Sequence, residues 1–119
     1  MSNLTLLRHP ALAALHAQAA AWNRGDLDGY IARTHPDIIY LSGAEVVHGR
    51  DALAARFRAR FPSPRSMGSL SVTVLDATLE AAQVSAVIAW EMDAARGHAL
   101  LVFVPTEDGW KLRYDATLA

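Results

Sequence analysis

The chain contains no cysteine. That absence excludes disulfides, thiolate nucleophiles, cysteine-based zinc sites and thiol redox chemistry, so packing alone must hold the fold together. Charge is also scarce: 19% of residues are charged, and 11 basic against 12 acidic side chains leave a formal net charge of −1. Nothing in that balance recruits nucleic acid or an anionic membrane. Lysine occurs once, at Lys111, against ten arginines. With abundant alanine, this bias reads as GC-rich, bacterial coding and carries no functional meaning. Long apolar runs are missing too, since a stretch such as Ala99 to Val104 is far short of the roughly 20 residues that a membrane span needs. The N-terminal residues lack a basic region followed by a long apolar one, so no secretory signal is read and the cytoplasm is the expected compartment. The five histidines, His9, His16, His35, His48 and His98, form no H-x-H or H-x-x-x-H pair, and no metal site is expected.

What is present is apolar: 52% of residues are hydrophobic in a chain of 119, enough for one core and one domain spanning 1–119. Leu12, Leu15, Ala19 and Trp22 recur at helical spacing between Pro10 and Asn23, with Pro10 suited to a first turn. Gly25 then reads as a C-terminal cap and Asp26 as the N-cap of a second short helix carrying Leu27, Tyr30 and Ile31. Pro36 is expected to end that helix, and Asp37 to Leu41 to form a short strand turning at Ser42-Gly43. A third helix follows Gly49-Arg50-Asp51 and runs to Phe61, with Leu53, Phe57 and Phe61 on one side, and Pro62 and Pro64 are expected to stop it.

The remainder reads as strands: Leu70 to Leu79, Val84 to Asp93, His98 to Val104 and Trp110 to Thr117, joined by short turns and therefore antiparallel. A turn over Ala94 to Gly97 would pair Met92 with His98 and Trp90 with Leu100, which puts His98 on one face with Trp90 and Met92. The third long strand is apolar on both faces, through Leu100, Val102 and Val104 and through Ala99, Leu101 and Phe103. One face covers helices; the other needs a partner, and a homodimer packed through the sheet is the expected one.

The order helix, helix, strand, helix and four long strands, with Trp22-Asn23-Arg24-Gly25-Asp26 closing helix one, Val47-His48-Gly49-Arg50-Asp51-Ala52-Leu53 opening helix three, and Asp108-Gly109-Trp110-Lys111-Leu112-Arg113-Tyr114-Asp115 near the end, resembles the nuclear transport factor 2-like superfamily. Within it the chain is most similar to SnoaL-like and ketosteroid isomerase-like bacterial domains. The resemblance implies an α+β fold in which three N-terminal helices pack into a strongly curved, mixed or antiparallel sheet, a cystatin-like cone enclosing a pocket, and usually a homodimer. It implies no single function, because such folds serve isomerases, polyketide cyclases, dehydratases, epoxide hydrolases and non-catalytic domains alike. Aligned on Gly25-Asp26, the ketosteroid isomerase pattern puts Ser42 where its proton-shuttling Asp belongs and Gln18 where its oxyanion-hole Tyr belongs. Serine without a partnering base is a poor proton acceptor at neutral pH, and that mechanism is not expected. The SnoaL-type cyclases imply an acid/base Asp late in the chain, and Asp115 is the carboxylate on the last strand.

Two residues are therefore candidate acid/base groups, Asp115 and His98. Asp115 shares a face with Lys111 and Arg113, alternating with Trp110, Leu112 and Tyr114, so strict strand alternation gives it a solvated or interface face; a bulge or a different turn register would turn it into the pocket, since one residue of slip reverses the facing. Buried among apolar groups, it would have a raised pKa suited to proton transfer. His98 would be a polar handle in the pocket, and Gln18 an orienting donor. Trp22, Tyr40 and Trp90 are candidate lining residues, as rings that flat apolar ligands meet. Arg56 and Arg60 share a helix face, read as solvated, with an anionic ligand group at the pocket mouth as the alternative. The chain is thus expected to bind an apolar, ring-bearing small molecule, with no cofactor, and either to act on it by acid-base chemistry or to serve as a scaffold whose pocket Trp22, Phe57, Met67 and Trp90 fill.

Overall fold

The computed structural model describes residues 8–118. Helix α1 spans Pro10–Asn23. His9 caps it, accepting at Nδ1 from the Ala11 N–H at 3.1 Å, and Pro10 occupies the first turn, where its missing donor costs nothing. Gly25 ends the helix with φ of +71°, donating to the Trp22 carbonyl at 2.9 Å, and Asp26 caps α2, Leu27–Ile31, by accepting from the Gly29 N–H at 2.9 Å. The two helices form the expected hairpin. Helix α3 spans Arg50–Arg60, and a short α4, Pro64–Met67, follows it behind a Ser63 capping box. Pro64 therefore starts a helical turn where the sequence read only a stop, which a proline in a first turn permits. No helix among the described residues is long and apolar enough to cross a membrane.

Six strands, β1 Thr34–Ser42, β2 Glu45–His48, β3 Leu70–Leu79, β4 Val84–Met92, β5 Ala95–Thr106 and β6 Gly109–Leu118, form one sheet in the order β2-β1-β6-β5-β4-β3. All neighbours are antiparallel except β1 and β6, which run parallel. The mixed α+β architecture is the expected one. Pro36 departs from expectation: α2 has already ended at Ile31, and the proline lies inside β1, in the irregular segment between Thr34 and Ile39 where regular pairing with β6 lapses. A residue without an N–H is tolerated where the ladder is already broken.

The β4–β5 connection also differs. Met92 pairs with Ala95, Trp90 with Gly97 and Ala89 with His98, so the loop is the two residues Asp93-Ala94 and β5 begins three residues early. A slip by an odd number exchanges the faces of β5. Ala99, Leu101 and Phe103 point inward beside Ala86 and Ile88, and His98, Leu100 and Val102 point outward.

The core lies between the concave sheet face and the helices, with Leu12, Ile38, Leu53, Val84 and Phe103 fully buried. Each such side chain contributes roughly 1.5–3 kcal/mol on burial. Two bulges add curvature. Leu75 on β3 is looped out between Val74, opposite Ile88, and Asp76, opposite Val87. On β6, Leu112 lies opposite Phe103 and Tyr114 opposite Val102, which leaves Arg113 without a partner.

Two glycines test this account. Both Gly25 and Gly43 have positive φ, yet a Cβ on Gly25 would collide with the Cβ of Pro64, while one on Gly43 meets nothing within 4 Å. Gly43→Ala should cost about 1 kcal/mol through backbone strain alone, and Gly25→Ala clearly more, because α4 must also shift. Urea midpoints of the two variants measure the difference; equal losses would mean that the α1–α2 hairpin does not rest on α4.

Candidate functional site

The curved sheet opens away from the helices at one end, and the opening leads into a cavity of about 500 Å³. Its wall is aromatic. Trp22 meets Tyr30, Phe57 and Phe61 edge-to-face at centroid distances of 5.2, 5.8 and 5.0 Å, and Phe57 meets Tyr40 at 5.8 Å. Each such pair adds roughly 0.5–1.5 kcal/mol to the area it buries. The polar tip of Trp22 is committed, its Nε1 donating to the Met67 carbonyl at 2.8 Å, so it offers the cavity a ring face only. Trp90 also lines the cavity, with its indole N–H buried and, among the described residues, without a partner. Trp22, Phe57, Met67 and Trp90 thus bound the cavity and leave it open.

Asp115 lies on this wall, 7% exposed, beside Tyr40 on β1 and Leu101 on β5. The bulge at Arg113 is the reason. Before it Leu112 points inward; after it the alternation restarts one residue late, and Asp115 and Thr117 point inward while Tyr114 points out. Arg113 itself is drawn away, donating from Nη1 to the Asp37 carbonyl and lying over the Tyr114 ring at 4.5 Å. Lys111 is spent as well, its Nζ donating to the Ala32 carbonyl at 2.7 Å. No described cation lies within 4.0 Å of the Asp115 carboxylate, and the one side chain that hydrogen-bonds it is Thr117, whose hydroxyl donates at 2.6 Å. Burial therefore dominates and pushes its pKa up to about 6, with the Thr117 hydrogen bond pulling weakly the other way.

Two phenols share its surroundings. Burial, and then the nearby Asp115 charge, raise the pKa of Tyr30 and of Tyr40 above the ordinary phenol value, with Ser42 and Arg56 opposing the shift at Tyr40. Both hydroxyls are consequently protonated, and available as donors, at any ordinary pH. Gln18 is 2% exposed and lines the same wall, where its Nε2 donates to the Tyr30 carbonyl at 3.3 Å. Arg56 closes one side of the mouth, its guanidinium 5.1 Å from the Tyr40 ring centroid and 2.5 Å from Glu45 on β2.

Of the candidate residues, then, Asp115, Gln18, Trp22, Tyr40 and Trp90 converge on one cavity. His98 does not. The β4–β5 register puts it on the outer sheet face between Ala89 and Leu118, so the polar handle read from its pairing with Met92 is corrected. Tyr30 and Thr117 are site residues that the sequence reading passed over. Thr117 carried a signal, since a hydroxyl two residues after a strand carboxylate shares its face; Tyr30, on a helix of five residues, carried none. Among the described residues no group of three His, Cys, Asp or Glu side chains is disposed to hold a metal ion.

The comparisons with known proteins agree with this architecture. The sequence model of the SnoaL-like domain matches residues 15–118. The chain belongs to that family. A crystal structure of an NTF-2-like protein of unknown function from Shewanella oneidensis MR-1 superposes with a TM-score of 0.83 at 25% identity, covering 89% of this chain and 93% of that one. A domain of unknown function with a cystatin-like fold from Nostoc punctiforme PCC 73102 gives 0.74 at 17% identity, over 98% of this chain and 78% of that one. A ketosteroid isomerase-like protein from Erwinia carotovora atroseptica SCRI1043 gives 0.69 at 16% identity, over 92% and 95%. No curated protein matches the chain. The chain is nuclear transport factor 2-like in fold.

The Asp115 environment makes a pH prediction. Its pKa is raised from 3.8 to about 6 on folding, so the native state holds a proton that the unfolded chain has lost between those values. Stability should be highest below about pH 4 for this group, fall as pH rises to about 6, and be lower by about 3 kcal/mol above it. Denaturant unfolding of the native chain and of Asp115→Asn between about pH 4 and 8 checks the sign: their stability difference should change across that window, and a flat difference would mean the carboxylate is solvated.

Proposed function

We propose that this SnoaL-like domain binds an apolar, ring-bearing small molecule in the cavity and that Asp115 moves a proton on it. The observation that carries the reading is the buried carboxylate on an aromatic cavity wall, with its pKa lifted to about 6. A group so poised is a substantial fraction carboxylate near neutral pH and still a competent acid when protonated. The ionised form takes a proton from a carbon beside a carbonyl, leaving an enolate, and the carboxylic acid so formed returns the proton elsewhere on the conjugated system or to a departing oxygen. Isomerisation, cyclisation and the addition or elimination of water all reduce to such steps, and none needs a redox partner. Tyr30 and Tyr40, held protonated by burial and by Asp115 itself, supply donors for the developing enolate oxygen, with Gln18 steadying the Tyr30 backbone. General acid-base assistance of this kind is worth about 10²–10⁴ in rate.

The assembly we propose is a homodimer through the outer sheet face. Val46, Leu41, Ala116, Leu100 and Val87 are successive cross-strand neighbours on that face, a row crossing five strands. Leu41, Val46 and Leu100 are 40%, 65% and 48% exposed, and His98, Val102, Tyr114 and Leu118 flank the row. A continuous apolar band of this breadth fits a second copy of itself. A bacterial cytoplasm is the proposed setting.

Deuterium incorporation into a cyclic ketone in heavy water, followed by NMR, tests the chemistry. Exchange should rise with pH through about 6 and drop at least about 100-fold in Asp115→Asn, with Tyr30→Phe intermediate; exchange that survives Asp115→Asn would remove the carboxylate from the mechanism. For the assembly, light scattering should report a dimer for the native chain and a folded monomer for Leu100→Glu, and a native monomer would end the dimer reading.

A further inference from the structure

The arginines of α3 meet different partners. Arg58 donates to Asp28 at 2.8 Å and Arg50 to the Thr34 carbonyl at 3.4 Å, and neither lines the cavity. Arg56 and Arg60, one turn apart, both do. Arg56 is neutralised by Glu45 at 2.5 Å. Arg60 has no carboxylate within 4.0 Å among the described residues, and its guanidinium lies 5.6 Å from the ring centroid of Phe61, itself a wall residue. The ring steadies the cation at the rim without neutralising it. The other charged groups on the cavity wall are Asp115, deep within, and Asp93 in the β4–β5 turn, which accepts from the Ser69 N–H at 3.3 Å. The rim is thus polarised, with an uncommitted cation on the α3 side and an acid on the turn side.

We propose that the ligand carries a carboxylate on its apolar ring body and that Arg60 receives that carboxylate at the rim while the rings of Trp22, Phe57 and Phe61 hold the body. This deepens the small-molecule reading above and rests on it. Guanidinium presents a planar fork that matches a carboxylate in two parallel hydrogen bonds, which lysine does not. Asp93 repels the same group from the far side, so attraction and repulsion together orient the ligand in one sense. Arg56, committed to Glu45 and stacked on Tyr40, does not compete for the acid. Because Arg60 is exposed, the effect is modest: an ion pair of this kind changes affinity by about twofold to fivefold.

The test uses the full chain and two matched probes, 2-naphthylacetic acid and its methyl ester, titrated by calorimetry in low salt at about pH 5.5, where the probe acid is ionised and Asp115 is mostly protonated. The acid should bind about two to five times more tightly than the ester. Arg60→Gln should abolish that preference by weakening the acid alone, and Arg58→Gln, on the same helix and paired elsewhere, should leave it intact. Equal affinity for the two probes in the native chain, or a preference that survives Arg60→Gln, overturns the assignment while leaving the cavity as a ligand site. Failure of both probes to bind overturns the small-molecule reading and this one with it.

Discussion

The molecule turns on the pairing of β5 with β6 and on the single residue, Arg113, that the pairing leaves out. With strict alternation, Leu112 inward would put Tyr114 inward as well and Asp115 outward, beside Lys111. The looped-out residue reverses this: it lets the strand bury Leu112 in the core and, three residues later, Asp115 in the cavity. Two contacts hold the bulge, the Arg113 guanidinium on the Asp37 carbonyl and on the Tyr114 ring. The Asp37 carbonyl belongs to the irregular part of β1, where Pro36 interrupts the ladder with β6. Two local breaks in neighbouring strands are thereby coupled, and the acid/base candidate, the phenol beside it and the curvature of the sheet all follow from them.

Curvature explains why there is a cavity. A flat sheet under α1 and α3 would be covered from end to end; bulges at Leu75 and Arg113 bend the strands and open one end of the cone. The aromatic cluster of Trp22, Tyr30, Phe57 and Phe61, edge-to-face except for the tilted Phe57–Phe61 pair, then forms a stiff wall, since each ring is fixed by the next. With the Trp22 N–H satisfied by the Met67 carbonyl, the wall is apolar where it is broad and polar only where Asp115, Thr117 and the two phenols meet. That distribution, wide apolar surface with a few convergent polar groups, is what small-molecule sites have in common.

Membership of the SnoaL-like family accounts for the frame and leaves the chemistry to the individual site. Here a carboxylate on the last strand lies on the cavity wall, apart from the charges of Lys111 and Arg113, which are committed to backbone carbonyls. The outer face, by contrast, is a band of aliphatic side chains with His98 on it.

The helices were legible along the chain because their signals are local: Pro10 and Gly25 bound α1, Asp26 caps α2, and Leu53 and Phe57 share the buried stripe of α3. The four long strands were legible for the same reason, as was the convergence of Gln18, Trp22, Tyr40 and Trp90, because helix stripe and strand alternation each point one way. Facing on β5 and β6 was not. His98 and Asp115 exchanged their expected places through a two-residue turn at Asp93-Ala94 and a bulge at Arg113, where the Asp37 carbonyl of the adjacent strand accepts from the guanidinium. Residues by themselves determined a cysteine-free, apolar α+β domain with a carboxylate near its end. Only the tertiary structure decided which way that carboxylate points, because facing in a sheet changes with a one-residue slip, and the energy that sets register comes from partners distant in the chain.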